Sequence, residues 1–171
     1  MIHLATGLLV RDGRLLMVAS RYPNHPQPLW NLPGGRQQPG ELFTETVVRE
    51  VFEETGLRVG AGALAYVSES YDGEQHFLNV TFLVILRQAQ DDGANASFDS
   101  ACPERSRRAQ DDKGDDHVVE VAWVPLAEVA KRIVIGVVRE PLLAYLRGGL
   151  TERYAGFHEA GVTIEWPHDS A

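Results

Sequence analysis

The sequence has a single cysteine, Cys102, among its 171 residues, which excludes an internal disulfide. Long hydrophobic runs are also missing. No uninterrupted apolar stretch is longer than Phe82–Leu86, whereas a membrane-spanning helix needs about 20 apolar residues. The chain starts MIHLATGLLVRDG, without the positively charged leader of a secretory signal. We therefore expect a cytoplasmic protein with no membrane partner.

The sequence also lacks an excess of basic residues. The sequence has 16 Lys and Arg against 24 Asp and Glu, which gives a net charge of −8. Without a basic footprint, a nucleic-acid duplex is not an expected partner. Anionic small molecules stay allowed, because bound metal ions can supply local positive charge. The length and the 44% apolar content predict a single domain with a buried core over residues 1–171.

Two hairpins are predicted from apolar runs that flank turn residues. In the first, an Asp-Gly turn separates Leu4–Val10 from Leu15–Ala19. In the second, the polar turn at residues 71–74 separates strand-like residues 57–70 from residues 77–86. Both patterns predict antiparallel pairs.

The second half of the chain predicts one further strand and two helices. Val118–Val124 alternates as a strand does, and Pro125 ends it. Leu126–Arg132 is predicted to be a helix. A last helix is predicted at Glu140–Arg147, with Pro141 in its first turn, where a missing N–H costs little.

Two segments are weakly patterned. Residues 87–116 have almost no periodicity and few large apolar residues, and we expect a flexible insertion there. An alternative is that its arginines bind phosphate groups: Arg105, Arg107 and Arg108. The tail, residues 150–171, has an edge-strand pattern only at Val162–Trp166.

The most informative stretch is residues 35–57, GRQQPGELFTETVVREVFEETGL. It predicts a glycine-tipped loop followed by a helix that ends at Gly56. On a helical wheel one arc is apolar and another holds three glutamates. The apolar arc contains Val47, Val48, Val51 and Phe52, and the acidic arc contains Glu50, Glu53 and Glu54.

Three carboxylates on one helical face repel one another unless a cation lies among them. Mg²⁺ prefers carboxylate oxygens and often bridges them to substrate phosphates. Arg49, four residues after Glu45 and four before Glu53, is placed to brace this acidic face. Gly34 and Gly35 allow backbone N–H groups to approach an anion or a metal-bound oxygen.

This stretch resembles the Nudix box of the Nudix hydrolases at every defined position of that motif. The matching residues are Gly35, Glu41, Arg49, Glu50, Val51, Glu53, Glu54, Gly56 and Leu57, at the spacing of the motif. The resemblance implies a Nudix-type α/β/α sandwich with a mixed β-sheet. It also implies hydrolysis of a nucleoside diphosphate linked to another moiety, with Mg²⁺ as cofactor and Mn²⁺ as a substitute.

The resemblance assigns roles to residues of the box and of the loop before it. Glu50, Glu53, Glu54 and Gly35 are the expected metal site, and Arg49 joins the three glutamates in the catalytic set. The expected substrate-binding residues are Arg21, Trp30, Gly34 and Gly35. Trp30 has a second interpretation, because an aromatic side chain beside a loop is more often part of the core.

The attacking water needs a proton acceptor, and the sequence leaves this residue open. A box glutamate is one candidate, and acids elsewhere are others: Glu74, Asp115, Asp116 and Glu120. The substrate is also open among a nucleoside triphosphate, a nucleotide sugar and a dinucleotide. A Nudix-fold protein that binds or senses a nucleotide without turnover is the alternative function, and a homodimer is an alternative to a monomer.

Overall fold

The computed structural model describes residues 1–87, 117–148 and 153–161. In these ranges the chain forms nine strands and three helices. The strands are Ile2–Leu8 (β1), Val10–Arg11 (β2), Arg14–Ser20 (β3), Leu29–Asn31 (β4), Gly34–Arg36 (β5), Val59–Asp72 (β6), Gln75–Leu86 (β7), Val118–Pro125 (β8) and Tyr154–Phe157 (β9). The helices are Phe43–Thr55 (α1), Leu126–Arg132 (α2) and Gly136–Leu146 (α3).

The larger sheet has five strands in the order β5-β1-β7-β6-β9. β1 is parallel to β7 and antiparallel to β5, and β9 is parallel to β6. β6 and β7 form the predicted second hairpin, with a turn at Gly73 and Glu74. The expected α/β fold with a mixed sheet is therefore confirmed.

A second, four-stranded sheet is antiparallel and is organised around β3. β4 and β8 pair with β3, and β2 pairs with its first residues. The strand predicted at Val118–Val124 and the helix predicted at Leu126–Arg132 are both present, as β8 and α2.

The first predicted hairpin is correct only at its turn. Val10 and Arg11 pair with β3 across Asp12 and Gly13, whose φ angles of 49° and 71° suit a tight hairpin turn. The run before them does not continue this pairing, because the chain leaves the strand at Leu9 and β1 joins the other sheet. One apolar run thus supplies strands to both sheets.

The last helix starts four residues earlier than the predicted Glu140. α3 starts at Gly136, with the carbonyl of Ile135 accepting hydrogen bonds from the N–H groups of Val138 and Arg139. Pro141 therefore lies inside the helix and not in its first turn. Burial of Ile135 and Leu142 outweighs the weak helix preference of the intervening valines.

The tail contains a strand that the sequence pattern did not predict. β9 extends the mixed sheet beside β6, and the N–H of Ala160 donates to the carbonyl of Tyr71. The edge strand predicted at Val162–Trp166 lies outside the described residues. So does the predicted insertion at 87–116, apart from Arg87.

Two apolar clusters hold the helices against the sheets. In the first, Val47 and Val51 of α1 pack with Ala5, Leu16 and Val84. The second cluster joins the other two helices to the sheets through buried residues that include Leu15, Met17, Tyr66, Val129, Ile133 and Leu142. α1 is thereby fixed with one face against β1 and β5, which positions its acidic side.

Candidate active site

Helix α1 has defined ends. At its start, Glu45 accepts a hydrogen bond from the N–H of Leu42 at 2.8 Å, which satisfies one of the free donors at the helix N-terminus. At its end, Gly56 has a φ of 72°, and its N–H donates to the carbonyl of Phe52. The predicted helix end at Gly56 is confirmed.

The two predicted faces of α1 are present, with one correction. Val47 and Val51 are fully buried, but Phe52 is 48% exposed and lies outside the core. Of the glutamates, Glu50 and Glu54 are buried, at 6% and 9% exposure. They lie four residues apart and therefore share the side of the helix that faces β5.

Arg49 braces this acidic face through several hydrogen bonds. Its Nη1 donates to Glu50 Oε1 at 2.8 Å and to Glu53 Oε2 at 2.9 Å. Its Nε and Nη2 donate to the two oxygens of Glu41, at 2.7 and 3.0 Å. Nη2 also donates to the carbonyl of Arg36, which ties the helix to β5.

The partner of Arg49 on the N-terminal side is Glu41, eight residues before it, and not Glu45, although Glu45 has the helical spacing for such a contact. The carboxylate of Glu45 instead accepts the hydrogen bond from the N–H of Leu42 at the start of the helix. The hydrogen bonds from Arg49 lower the pKa of Glu41 to about 2. The same contact with Glu41, followed by that with Glu50, raises the pKa of Arg49. Both groups are therefore charged at neutral pH.

The two glycines of β5 lie in close contact with two of the glutamates. The N–H of Gly34 donates to Glu54 Oε2 at 2.7 Å. A Cβ on Gly35 would lie 2.6 Å from the carboxyl carbon of Glu50, so only glycine leaves room for that carboxylate. The loop and the helix therefore form one unit.

The donor chemistry of this face fits a hard divalent cation, because Glu50, Glu53 and Glu54 offer carboxylate oxygens within one helical turn. Among the described residues, however, no three His, Cys, Asp or Glu side chains are grouped closely enough to hold a metal ion. Arg49 and Gly34 hold these carboxylates instead. Residues 35–57 thus supply the carboxylates that a divalent cation prefers. In this structure those carboxylates accept hydrogen bonds from Arg49 and Gly34.

A cavity lies between the two sheets, next to β5. Gly34, Gly35 and Glu54 belong to its lining, which connects it to the acidic face of α1. The larger part of the lining comes from strands of both sheets, from α3 and from the segments that connect them: Leu4, Thr6, Val18, Ser20, Tyr22, Asn31, Leu32, Ser68, Ser70, Asp72, Phe77, Asn79, His117, Ile135, Val137, Val138 and Ala160. Glu54 is thus the glutamate that the structure brings to this cavity.

The mixed sheet supplies a polar wall to this cavity. The hydroxyls of Thr6 and Thr81 are 2.8 Å apart, and Asn79 lies within hydrogen-bond distance of Thr6. Behind them, burial raises the pKa of Tyr66 to about 12. These four side chains are therefore uncharged at neutral pH, and they can both donate and accept hydrogen bonds.

Two of the predicted substrate-binding residues are not part of the cavity lining. Trp30 packs against the core, and the guanidinium of Arg132 lies 4.8 Å from its ring centre. Arg21 is exposed, and its N–H donates to the carbonyl of His117. Tyr22 and His117 line the cavity instead, with ring centres 5.9 Å apart. Sequence reasoning missed this pair because only the fold brings the two residues together.

The acids named as other proton acceptors lie away from the cavity or outside the described residues. Glu74 is exposed in the β6–β7 turn, and Glu120 is exposed on β8. Neither belongs to the cavity lining. Asp115 and Asp116 lie outside the described residues, as do Arg105, Arg107 and Arg108.

A family model for the NUDIX domain matches residues 1–146 of the chain. The chain belongs to the Nudix family. This match includes the whole box, both sheets except β9, and the three helices. In the described part of this Nudix chain, no helix has the length and apolar composition needed to cross a membrane.

Known relatives and structures agree with this assignment. The ADP-ribose pyrophosphatase of Methanocaldococcus jannaschii is 32% identical over 99 residues, which are 54% of this chain and 57% of that protein. The mouse diphosphoinositol polyphosphate phosphohydrolase 3-alpha is 35% identical over 80 residues, 47% of this chain and 46% of that protein. The chain thus spans about half the length of these curated relatives.

Among solved structures, a Nudix hydrolase from Nitrosomonas europaea matches with a TM-score of 0.65 and 21% identity. The match covers 90% of this chain and 92% of the other. At this identity the likeness shows the fold alone.

Proposed function

We propose that the protein hydrolyses a pyrophosphate linkage in a nucleoside diphosphate derivative, with Mg²⁺ as cofactor and Mn²⁺ as a substitute. The observation that carries this proposal is the hydrogen bond from Gly34 to Glu54, which sets the acidic face of α1 beside the cavity. Membership of the Nudix family supports it. So do the names of the two curated relatives, a pyrophosphatase and a phosphohydrolase.

In this proposal Glu50, Glu53 and Glu54, with the backbone of Gly35, would hold the cation. When bound, the cation would offset the negative charge of the diphosphate and lower the pKa of a water molecule. Arg49 orients Glu50 and Glu53 through its shared Nη1.

A box glutamate accepts the proton of the attacking water. Water forms a new oxygen–phosphorus bond, and the bond from phosphorus to the bridging oxygen breaks, which gives two phosphate products. We favour a box glutamate over Glu74 and Glu120 because neither of those acids lies in the cavity lining.

One observation favours the alternative of nucleotide binding without turnover. Arg49 donates to Glu50 and Glu53, so two of the three glutamates are already paired with a cationic side chain. A protein that kept this arrangement with a nucleotide bound would bind and not cleave.

The test is a panel of nucleoside triphosphates, nucleotide sugars and dinucleotides, each incubated with Mg²⁺, with Mn²⁺ or with EDTA. Release of phosphate or nucleoside monophosphate is measured for the wild type and for Glu53→Gln. We expect cation-dependent hydrolysis in the wild type and a large loss in the variant. Hydrolysis that persists in EDTA contradicts the proposal. Nucleotide binding without products under every condition supports the alternative.

A further inference from the structure

The cavity lining has an unusual charge for a site beside phosphates. Among the described residues, it contains two acidic side chains, Glu54 and Asp72, and no lysine or arginine. Phosphate groups are repelled by such a lining unless a cation accompanies them, and the cation ligands lie at the Glu54 end. The rest of the cavity therefore suits an uncharged group.

Asp72 lies far from the box along the mixed sheet. Gly34, Thr6, Thr81 and Tyr66 are paired in one row across β5, β1, β7 and β6. Asp72 is six residues beyond Tyr66 on β6, which is about 20 Å along an extended strand. A substrate with its phosphates near Glu54 would extend its other end along this wall toward Asp72.

The side chains between these two ends are suited to a flat heterocycle. Ser68, Ser70 and Asp72 alternate along β6 and face the same side, because strand side chains repeat every second residue. Phe77 is paired with Ser70, and Tyr22 lies on the other side of the cavity. Aromatic rings beside hydroxyls are the groups that bind a nucleobase by stacking and by hydrogen bonds at its edge.

A carboxylate at this place distinguishes among bases. An ionised carboxylate only accepts hydrogen bonds, and its two oxygens match two parallel N–H donors. Guanine presents two such donors side by side, at N1 and at the 2-amino group. Adenine and cytosine place an acceptor beside their amino group, and uracil and thymine place carbonyls on both sides of N3–H.

We propose that Asp72 is a specificity-determining residue that accepts hydrogen bonds from the N1–H and 2-amino groups of a guanine base. This inference rests on the proposed function, since it takes the phosphates of the same substrate to lie at the box helix. It narrows the substrate to a guanine nucleotide with a diphosphate linkage.

Binding is measured first, by calorimetry with GMP, IMP and AMP in Mg²⁺. Turnover plays no part, because a monophosphate has no diphosphate linkage. IMP is the matched ligand because its base lacks only the 2-amino group. We expect GMP to bind the wild type about 10- to 100-fold more tightly than IMP or AMP, the range expected for one bidentate contact. In Asp72→Asn the amide replaces one acceptor by a donor, and the preference for GMP should disappear.

The control is Asp12→Asn, which removes the same charge at an exposed turn position. Asp12 has a φ of 49°, a conformation that asparagine also adopts. This variant should keep the preference for GMP. The kcat/KM values for dGTP, dITP and dATP with Mg²⁺ should follow the same order, with the change in Asp72→Asn mainly in KM.

The outcomes separate this inference from the proposed function. Equal affinity of the wild type for GMP, IMP and AMP overturns the role of Asp72, even if Asp72→Asn does not fold. A preference for GMP that Asp72→Asn retains overturns it as well. Selective GMP binding without hydrolysis of any nucleotide supports the role of Asp72 and contradicts the proposed function. Hydrolysis with no base preference supports the proposed function and contradicts the role of Asp72.

Discussion

The backbone N–H of Gly34 donates a hydrogen bond to Oε2 of Glu54 at a distance of 2.7 Å. Gly34 lies on β5 and Glu54 on the last turn of α1. Gly34 has a φ of 152°, and a Cβ at this residue would lie 2.2 Å from the carbonyl oxygen of Ala5. The position of its N–H therefore depends on glycine. The strand, and not the helix alone, therefore places this carboxylate at the cavity.

Glu54→Gln should remove most hydrolytic activity and leave the fold intact. The amide oxygen of glutamine can still accept from Gly34, but the negative charge that a divalent cation needs is lost. Turnover should fall at least about 10- to 100-fold. Thermal unfolding and kcat are measured together, with the exposed Glu128→Gln on α2 as control. Near-normal Mg²⁺-dependent turnover in Glu54→Gln would show that this carboxylate is not a ligand.

Arg49→Lys should retain only part of the activity, and Arg49→Ala less. A lysine keeps the charge but cannot reach Glu41, Glu50 and Glu53 at once, as the planar guanidinium does. We expect a loss of about 1–3 kcal/mol in the free energy of unfolding for the alanine variant. Urea unfolding and kcat/KM measure the two effects. Identical kinetics for arginine and lysine would contradict this role.

Gly35→Ala should disturb the site more than the fold. The new Cβ would meet the buried Glu50 carboxyl at 2.6 Å and displace it from Arg49. Overpacking of this kind costs roughly 1–3 kcal/mol. The matched control is Gly136→Ala at the start of α3, where a Cβ would have nothing within 4 Å. If Gly35→Ala keeps full activity, the Glu50 position seen here is not the active one.

The lowered pKa of Glu41 predicts that the stability of the protein depends on pH. Its pKa is lowered from an ordinary value near 4.5 to about 2, mainly by the hydrogen bonds from Arg49. A lowered carboxyl pKa stabilises the folded state above the unfolded pKa, and this contribution is lost as the pH falls from about 4.5 toward 2. The difference in unfolding free energy between wild type and Glu41→Gln should therefore be constant above about pH 5. It should shrink below that pH in urea titrations. A difference that does not change with pH would exclude this pairing.

Tyr154→Phe should loosen β9. The hydroxyl of Tyr154 donates to Glu69, whose other oxygen is bonded to His76, and these contacts lower the pKa of Glu69. Without the Tyr154 hydroxyl, the N–H groups of Val67 and Ala160, which donate to the carbonyls of Arg153 and Tyr71, should exchange faster with solvent. Hydrogen exchange measures this. Exchange within α1 serves as the internal control, and unchanged exchange at both N–H groups would contradict a latch by Tyr154.

Local patterns in the sequence determined the elements whose signals are short-range. The C-terminal end of α1, the β6–β7 hairpin, β8 and α2 follow from spacing, turn residues and a terminal glycine or proline. The Nudix box is also local, which is why family and candidate metal ligands could be predicted from residues 35–57 alone.

Tertiary structure decided what depends on contacts between distant residues. Leu9 divides one apolar run between two sheets, and a single run does not show which partners its halves will find. Tyr22, Asp72 and His117 meet in one cavity although they are far apart in sequence. Arg49 bonds to Glu41 and not to Glu45 because the loop turns back over the helix start. The box thus follows from the sequence by itself, whereas the cavity exists only once the two sheets have packed.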